Sequence, residues 1–388
     1  MTKPRLSRLG TVVRQDRKSI KPGECSELRY IGLESIESNT GEFSVGELSK
    51  TPESPQANSF RFDSRHVLYG KLRPYLNKVA IADFAGKCST EIIPLIPDPE
   101  LDRRYLAYFL RSPLTVSRIS AKTAGARMPR ADMDFIFDLE MPLPNLAEQL
   151  RTIDLLSRAE GILRLRREAQ QKAAELVPAI FLEMFDDPRT NSKSFPVYAL
   201  GDLMVSPPTL GTMAKPSASK ARWLDLRVAN IQGGKLTLED RKWLDFSEKE
   251  IVRFQLFSGD IVLARAIGSL DHLGKAVVVY PDSDWTFDSH LMRLRFDPLR
   301  LLPEWFVPYL SSEGGRAEFL KHTRHSAVQF NINGKEIRKL QIPLPTLEAQ
   351  HIFCSRTEEI RSITTQQAAA TAKAEAVFQS LLSATFKN

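Results

Sequence analysis

The chain has little of what membrane and secreted proteins carry. Its purely apolar runs, such as Ala276 to Tyr280, are far shorter than the ~18 residues of a membrane-spanning helix. The three cysteines, Cys25, Cys88 and Cys354, lie too far apart in sequence to form a metal or redox pair. No apolar stretch of a signal peptide follows the charged amino terminus. These absences predict a cytoplasmic protein with free thiols and no membrane partner.

The sequence also lacks the motifs of common enzymes. It contains no Gly-x-Gly-x-x-Gly, and the segment from Gly268 to Lys275 has the wrong glycine spacing for a Walker A loop. The Asn/Asp-Pro-Pro-Tyr/Phe motif of amino-methyltransferases is missing, and Pro281-Asp282 is not followed by the residues of a common nuclease core. We therefore predict that the chain has no catalytic residues, is not itself an enzyme and holds no cofactor.

One short stretch has the spacing of metal ligands. Glu318, His322 and His325 can share one face of a helix at this spacing. They lie in a basic stretch, however, and no fourth ligand is evident in the sequence. We predict no metal site there.

Positive charge is distributed unevenly along the chain. There are 54 Lys and Arg against 47 Asp and Glu, which gives a net charge of +7. Residues 1–145 carry +4 and residues 195–341 carry +3, whereas residues 146–190 carry −1 and residues 342–388 carry no net charge. A basic surplus in two separate segments favours a polyanionic partner, most often nucleic acid.

The two basic segments are copies of one pattern. Met141–Gln149, which reads MPLPNLAEQ, matches Ile342–Gln350, which reads IPLPTLEAQ, at an offset of 201 residues. Tyr108 corresponds to Tyr309 at the same offset, and each half opens with Leu-Gly. Further upstream the offset falls to 194, so the second copy has extra residues around Gly268–Leu273. The pattern is that of a tandem repeat.

A long helix is predicted after each Pro-Leu-Pro. Apolar and small residues recur there at alternating steps of three and four, which is typical of a seam that pairs with another helix. The register is the same in both copies, so we predict that the two helices pair with each other, with Arg166 and Gln367 as polar residues in the seam. The predicted pairing residues are Ile162, Ala169, Ala173, Leu176 and Ile180 in the first helix and Ile360, Ile363, Ala370, Ala374, Val377 and Leu381 in the second. The alternative is that each helix packs only on its own domain.

The segments before the helices contain strand-like runs that are broken by turn residues. A short apolar helix is predicted near Arg104–Leu110 and again near Pro303–Leu310. The predicted fold class is therefore α+β, with two repeated mixed domains separated by two long helices. The predicted domains are residues 1–145 and 191–341, and the predicted helical spacers are residues 146–190 and 342–388.

Basic and amide residues gather in irregular stretches of both mixed domains. Side chains of these types in loops can contact phosphates and base edges of DNA. The candidate DNA-binding residues are Lys71, Arg73, Lys122, Arg127 and Arg130 in the first half and Arg265, His272, Lys275, Lys321, Arg324, His325, Gln329 and Asn331 in the second. Any single one of them can equally be solvated surface.

The whole chain resembles the specificity subunit of type I restriction–modification enzymes. The resemblance rests on the two Pro-Leu-Pro-x-Leu…Gln motifs, each of which closes a variable basic domain and opens a long helix. Supporting marks are Tyr30–Glu37, Gly259–Leu263 and Gln329–Asn333. The first half has only a degraded form of the last element, at Arg127–Arg130.

The resemblance implies that the mixed domains are target recognition domains, each of which reads one half of a split sequence in double-stranded DNA. It also implies that the two helices form an antiparallel coiled coil. The implied partners are two modification subunits, which transfer methyl groups to adenine, and restriction subunits, which cleave DNA. S-adenosylmethionine, ATP and magnesium are then expected on those partners and not on this chain.

Two other functions are compatible with the sequence. The chain can be a stand-alone nuclease or methyltransferase with an unfamiliar site, or a coiled-coil scaffold that binds protein. Incubation of the pure chain with DNA, with and without metal or methyl donor, distinguishes an enzyme from a DNA-binding subunit. Capture of a methyltransferase partner distinguishes the subunit from the scaffold.

Overall fold

The computed structural model describes residues 5–44, 57–125, 127–217, 219–232, 234–239, 241–325 and 329–387. Two units emerge: unit 1 is Met1–Glu168 together with Ala368–Asn388, and unit 2 is Ala169–Gln367. Each unit contains one mixed α+β body and parts of both long helices. Within the described ranges, neither the long helices nor the short ones combine the length and apolar character needed to cross a bilayer.

The helices include both long helices and both short apolar helices that the sequence predicts. They are α1 (Arg103–Arg111), α2 (Pro113–Ala121), α3 (Met133–Asp138), α4 (Leu146–Phe185), α5 (Glu248–Phe254), α6 (Pro303–Ser311), α7 (Glu313–Lys321), α8 (Gly334–Ile337) and α9 (Leu347–Thr385). The carboxylate of Asp102 caps α1 by accepting a hydrogen bond from the Arg104 N–H. Pro303 opens α6, where a missing N–H costs nothing.

In unit 1 the strands form small sheets around α1. The strands are β1 (Arg5–Arg8), β2 (Val13–Gln15), β3 (Ser19–Ile20), β4 (Arg29–Ile31), β5 (Ser59–Phe62), β6 (Val67–Gly70), β7 (Val79–Ile81), β8 (Gly86–Ser89), β9 (Ile92–Pro97), β10 (Thr123–Ala124), β11 (Arg130–Ala131) and β12 (Glu140–Leu143). One sheet has the order β2-β9-β6-β7 and is antiparallel. Another has the order β3-β5-β8-β4, in which β4 and β8 are parallel.

Unit 2 repeats this plan. Its strands are β13 (Val197–Ala199), β14 (Thr209–Leu210), β15 (Trp223–Leu226), β16 (Ile231–Gln232), β17 (Lys235–Leu236), β18 (Lys242–Leu244), β19 (Asp260–Ala264), β20 (Ala266–Ile267), β21 (Ala276–Val279), β22 (Trp285–Phe287), β23 (Leu291–Leu294), β24 (Arg324–His325), β25 (Phe330–Asn331) and β26 (Gln341–Pro343). The antiparallel order β14-β23-β19-β21 corresponds to β2-β9-β6-β7, and the parallel pair β15–β22 corresponds to β4–β8. The predicted α+β class and the repeat are therefore confirmed.

The repeated sequence motifs have the same structural task in each unit. The Pro-Leu-Pro segment supplies the last strand, β12 or β26, which pairs with the first strand of its unit, β1 or β13. The Leu-Gly motif follows that first strand, and its leucine, Leu9 or Leu200, is fully buried. A Cβ on Gly10 would lie 3.1 Å from the Cβ of Phe137, and one on Gly201 would lie 2.9 Å from the Nε of Arg338. Close packing against the segment before the last strand therefore explains the glycine in both copies.

Aromatic residues of the short helices form the centre of each core. In unit 1 Tyr105 of α1 is buried in a cluster with Val67 of β6 and Leu95 of β9. In unit 2 Trp305 and Phe306 of α6 are buried in the corresponding place. Complete burial of one such side chain is worth roughly 1.5–3 kcal/mol, so these clusters are the main source of stability in each unit.

Both long helices contribute to the core of both units. In unit 1 Leu156, near the start of α4, joins the same buried cluster as Phe378, near the end of α9. In unit 2 the ring of Phe181, near the end of α4, lies 5.7 Å from the ring of Phe353, near the start of α9. The start of one helix thus packs beside the end of the other in each unit, which confirms the predicted antiparallel pairing.

The side chains buried along the helix pair match those that the sequence predicts only in part. Ile162, Ala169, Leu176, Ile363 and Val377 are exposed, and so is Arg166. The predicted residues that are half-buried are Ala173, Ile180, Ile360, Ala370, Ala374 and Leu381.

At each predicted position that is exposed, the residue that faces inward is the next one in the chain. These inward-facing residues include Leu163, Val177, Thr364 and Phe378, and the 201-residue offset relates Leu163 to Thr364 and Val177 to Phe378. The common register is therefore present, but five of the eleven predicted positions are displaced by one residue. Each helix carries two neighbouring apolar stripes, and a spacing of three and four cannot tell which stripe meets the partner helix.

A buried glutamine joins each long helix to its mixed domain. Gln149 is fully buried, and its Oε1 accepts a hydrogen bond from the Asp102 N–H at 2.8 Å. Its Nε2 donates to the carbonyl oxygens of Glu100 and Pro144, both at 2.8 Å. Gln350 makes the same three bonds in unit 2, with the Leu302 N–H at 2.9 Å and two carbonyl oxygens at 3.0 Å. The glutamine of the repeated motif therefore fixes the angle at which the helix leaves the domain.

Candidate nucleic-acid interface

The candidate DNA-binding residues of the first half come together beyond the end of β6. The Arg73 N–H donates to the Pro129 carbonyl oxygen at 2.7 Å, and the Ala131 N–H donates to the Lys71 carbonyl oxygen at 2.8 Å. These bonds join the segment after β6 to the β10–β11 hairpin, which also carries Arg127. We call residues 71–77, 122–125 and 127–131 the first tip.

Glu91 lies beside two of the five cations in the first tip. Its carboxylate accepts from Arg130 at 3.1 Å (Nε) and 2.8 Å (Nη2), and it lies 3.9 Å from the Lys71 ammonium. The side chains of Arg73, Lys122 and Arg127 are exposed, and none has an ion-pair partner among the described residues. These three are therefore the cations of the first tip that lie beside no carboxylate in the described part of the chain.

The candidates of the second half come together at the corresponding place in unit 2. Strand β20, directly after Arg265, pairs with β25, and β25 also pairs with β24. Asn331 of β25 is the register partner of both Ala266 and Arg324. We call residues 265–275, 321–325 and 329–332 the second tip, which contains Arg265, His272, Lys275, Lys321, Arg324, His325, Gln329 and Asn331.

Several side chains of the second tip have partners within the chain. Lys321 pairs with Glu318 at 2.9 Å, and Arg324 pairs with Glu336 at 3.4 Å while its side chain stays 68% exposed. The ring of His325 lies 4.4 Å from the ring of Phe330. His272 and Lys275 are hydrogen-bonded to each other in the extra segment of the second copy. The second tip is thus more internally bonded than the first, and its exposed surface mixes cations, amides and rings.

Arg316 holds the extra segment in place, and the sequence analysis did not identify it. Its guanidinium donates to the carbonyl oxygen of Leu270 at 2.5 Å and to that of Leu273. It also lies over the ring of Phe319, and burial lowers the pKa of its guanidinium. In the sequence, only the length difference between the two copies indicated this segment. Arg316 itself was not identified because a hydrogen bond from a side chain to distant carbonyl oxygens leaves no pattern in the sequence.

Glu318, His322 and His325 do not converge on one point. The Glu318 carboxylate accepts from the Gln341 N–H at 3.0 Å and contacts Lys321 and His322, whereas His325 stacks elsewhere. Burial acts to raise the pKa of Glu318, but these bonds outweigh it and hold that pKa below its usual value. Across the described parts of the chain, no group of three or more His, Cys, Asp or Glu side chains is arranged to hold a metal ion.

The long helices also present exposed apolar side chains. Four of them form two pairs related by the repeat: Ile162 and Val377 in unit 1 are 53% and 59% exposed, and Ile363 and Leu176 in unit 2 are 53% and 47% exposed. The 201-residue offset relates Ile162 to Ile363 and Leu176 to Val377, so each unit carries an equivalent pair. We call these pairs the first and second helix faces.

Comparison with known proteins identifies relatives of one kind. A family model described as "Type I restriction modification DNA specificity domain" matches residues 35–175. The EcoKI specificity subunit of Escherichia coli K12 is 24% identical over 312 residues, which cover 76% of this chain and 67% of that protein. The StySPI specificity subunit of Salmonella potsdam is 25% identical over 282 residues, which cover 69% of this chain and 60% of that protein. The chain thus spans about two thirds or less of these relatives' length.

Solved structures with the same fold have similar descriptions. A chain from a study of complex assembly and conformational transition of the type I R-M system aligns with a TM-score of 0.61 and 19% identity, covering 100% of this chain and 98% of the other. The S subunit of a type I restriction–modification system from M. genitalium aligns with a TM-score of 0.54 and 14% identity, covering 100% and 98%. At these identities the alignments show that the fold is shared.

Proposed function

We propose that this chain is a specificity subunit of a type I restriction–modification system and that it recognises a bipartite sequence in double-stranded DNA through its two tips. The first tip reads one half of the target and the second tip reads the other. The chain directs enzymes to the target and does not itself catalyse a reaction. We propose that residues 1–145 and 191–341 are the two target recognition domains and that residues 146–190 and 342–388 are the helical spacers between them.

One observation carries this proposal: the same backbone frame presents cationic and amide side chains in both units. Lys71 and Arg265 directly follow the equivalent strands β6 and β19. The residue after each of them pairs with a second segment, in which Arg130 and Asn331 occupy equivalent positions. Cations of this kind bind phosphates, and exposed arginine, glutamine and asparagine side chains discriminate between base edges. Two similar frames with different side chains suit two half-sites of different sequence.

The helix faces support the second part of the proposal, which concerns partners. Each unit has one equivalent apolar pair, so two copies of one partner can bind in the same way. We propose that these partners are methyltransferase subunits, that restriction subunits join the complex, and that S-adenosylmethionine, ATP and magnesium bind to those partners. A complex of this kind acts on DNA, and we place it in the cytoplasm.

The DNA-reading role is tested by a binding selection on randomised duplex DNA. The full chain is expected to select a split sequence. Arg73→Ala is expected to change the preference in one half only, and Gln329→Ala the preference in the other half only. Phosphate contacts should make affinity fall by orders of magnitude between ~0.05 and ~0.2 M salt. Selection of no sequence, or loss of preference in both halves from one substitution, would contradict the proposal.

The partner role is tested by charge substitutions on the helix faces. Ile162→Asp is expected to abolish binding of one methyltransferase subunit and Ile363→Asp that of the other, because each buries a carboxylate in an apolar contact. Native mass spectrometry of the reconstituted complex measures the stoichiometry. Leu299→Asp, at a residue that is 79% exposed, is the matched control and should leave it unchanged. All three should change the stability of the free chain by less than about 0.5 kcal/mol. Two bound partners on both variants would rule out these faces.

A further inference from the structure

Arg73 has a backbone conformation that arginine rarely adopts. Its φ of 51° and ψ of 63° lie in the left-handed region, where a Cβ clashes with the following carbonyl oxygen. The next residue is Pro74, which normally pushes its predecessor towards an extended conformation. Glycine would adopt this conformation without the steric cost. The fold therefore retains a side chain at a position where it destabilises the backbone.

The surrounding chain holds that backbone firmly. The Arg73 N–H donates to the Pro129 carbonyl oxygen at 2.7 Å, and the Arg73 carbonyl oxygen accepts from the Leu76 N–H at 2.9 Å. The guanidinium, in contrast, is exposed and bonds to nothing in the described part of the chain. A strained and anchored residue whose side chain makes no hydrogen bond or ion pair with the described residues is typical of a group that acts on a ligand.

We propose that Arg73 is a specificity-determining residue that recognises a guanine in the half-site read by the first tip. This inference rests on the DNA-binding function proposed above. A guanidinium presents two parallel N–H donors, which match the O6 and N7 acceptors of guanine in the major groove and of no other base. Such a contact requires that the backbone from which the side chain extends does not shift. The two backbone hydrogen bonds of Arg73 hold that backbone in place.

The other cations of the first tip are less suited to this role. Glu91 already occupies the guanidinium of Arg130 and lies beside Lys71. Lys122 carries a point charge without the fork of donors, so it suits a phosphate. Arg127 is exposed in the hairpin turn, and among the described residues its backbone makes no hydrogen bond like the two that hold Arg73.

Unit 2 has no equivalent of Arg73. The offset of 194 residues that relates Lys71 to Arg265 also relates Arg73 to Ile267. Ile267 is half-buried and packs against the core of unit 2, so it does not project towards a ligand in the same way. The guanine contact made from this position is therefore confined to one half of the target.

The test is a binding selection on randomised DNA with the full chain and three variants. The original chain should require guanine at one position of the first half-site. Arg73→Gly should reduce that preference by about 5- to 150-fold and leave every other position unchanged. Arg73→Lys should retain part of the preference, because lysine keeps the charge but loses the fork. The thermal midpoint of Arg73→Gly should not fall, because the substitution removes backbone strain.

Arg127→Gly is the matched control in the same tip. It should weaken binding to all sequences alike and reduce the salt dependence by about one phosphate contact. Uniform weakening by Arg73→Gly, with its guanine preference intact, would overturn the inference and make Arg73 another phosphate contact. A specific site without guanine in the first half would also overturn it. If the original chain selects no sequence at all, the proposed function itself fails.

Discussion

Replacing Gln149 by glutamate is expected to destabilise unit 1 by at least about 3 kcal/mol. The side chain keeps its size but loses both N–H donors. The new carboxylate would face the carbonyl oxygens of Glu100 and Pro144, which are now 2.8 Å from the Gln149 Nε2, in a site without solvent. Urea unfolding, followed by a probe in unit 1, measures the loss.

The loss should also depend on pH in a defined direction. Burial raises the pKa of the introduced carboxyl above its value of about 4.3 in the unfolded chain, so the folded state prefers the protonated form. The variant should therefore recover stability, relative to the original chain, as the pH falls through that raised pKa, because a protonated carboxyl regains one donor.

Two controls isolate the buried hydrogen bonds. Gln171→Glu makes the same chemical change at an exposed position of the same helix and should alter stability by less than about 0.5 kcal/mol. Gln350→Glu should reproduce the effect in unit 2. A Gln149→Glu variant as stable as the original chain at neutral pH would show that the three bonds are dispensable.

A fragment of residues 1–191 is expected to form a two-fold symmetric dimer. It lacks α9 and Phe386, which directly follows that helix and packs edge-on against Tyr105 at 5.1 Å and Phe109 at 5.7 Å in unit 1. The end of α4 carries Phe185 at the equivalent position, 201 residues earlier. A second copy of the fragment can therefore place its Phe185 in the vacated site, and the exchange is reciprocal.

The seam observed in the structure favours this dimer more than the seam that the sequence predicts. Arg166 is exposed, so two copies of it need not meet inside the interface. Equilibrium sedimentation should give the dimer mass, and a binding selection should give an inverted repeat of the first half-site. Phe185→Asp should abolish the dimer, whereas Leu182→Asp, at a neighbouring residue that is 49% exposed, should not. A monomeric fragment would count against the exchange.

Local patterns in the sequence were sufficient for the architecture. The Pro-Leu-Pro copies predicted the repeat, and the spacing of three and four predicted α4 and α9. The tandem motifs also carried the resemblance to type I specificity subunits. These features depend on residues that are close together in the chain, where the geometry of a helix or strand imposes a regular period.

Tertiary structure decided which side chains are buried and which distant residues they contact. It placed Leu163 and Phe378 inside the helix pair and left Ile162 and Val377 exposed, although both stripes have the same spacing. It brought the Glu91 carboxylate to Arg130, which lies 39 residues away in the chain. Arg130 is therefore not among the cations of the first tip that lack a carboxylate beside them. It also gave Arg73 its left-handed backbone. Contacts of this kind join segments that are distant in sequence, and their partners are set by packing and hydrogen bonding that no local period records.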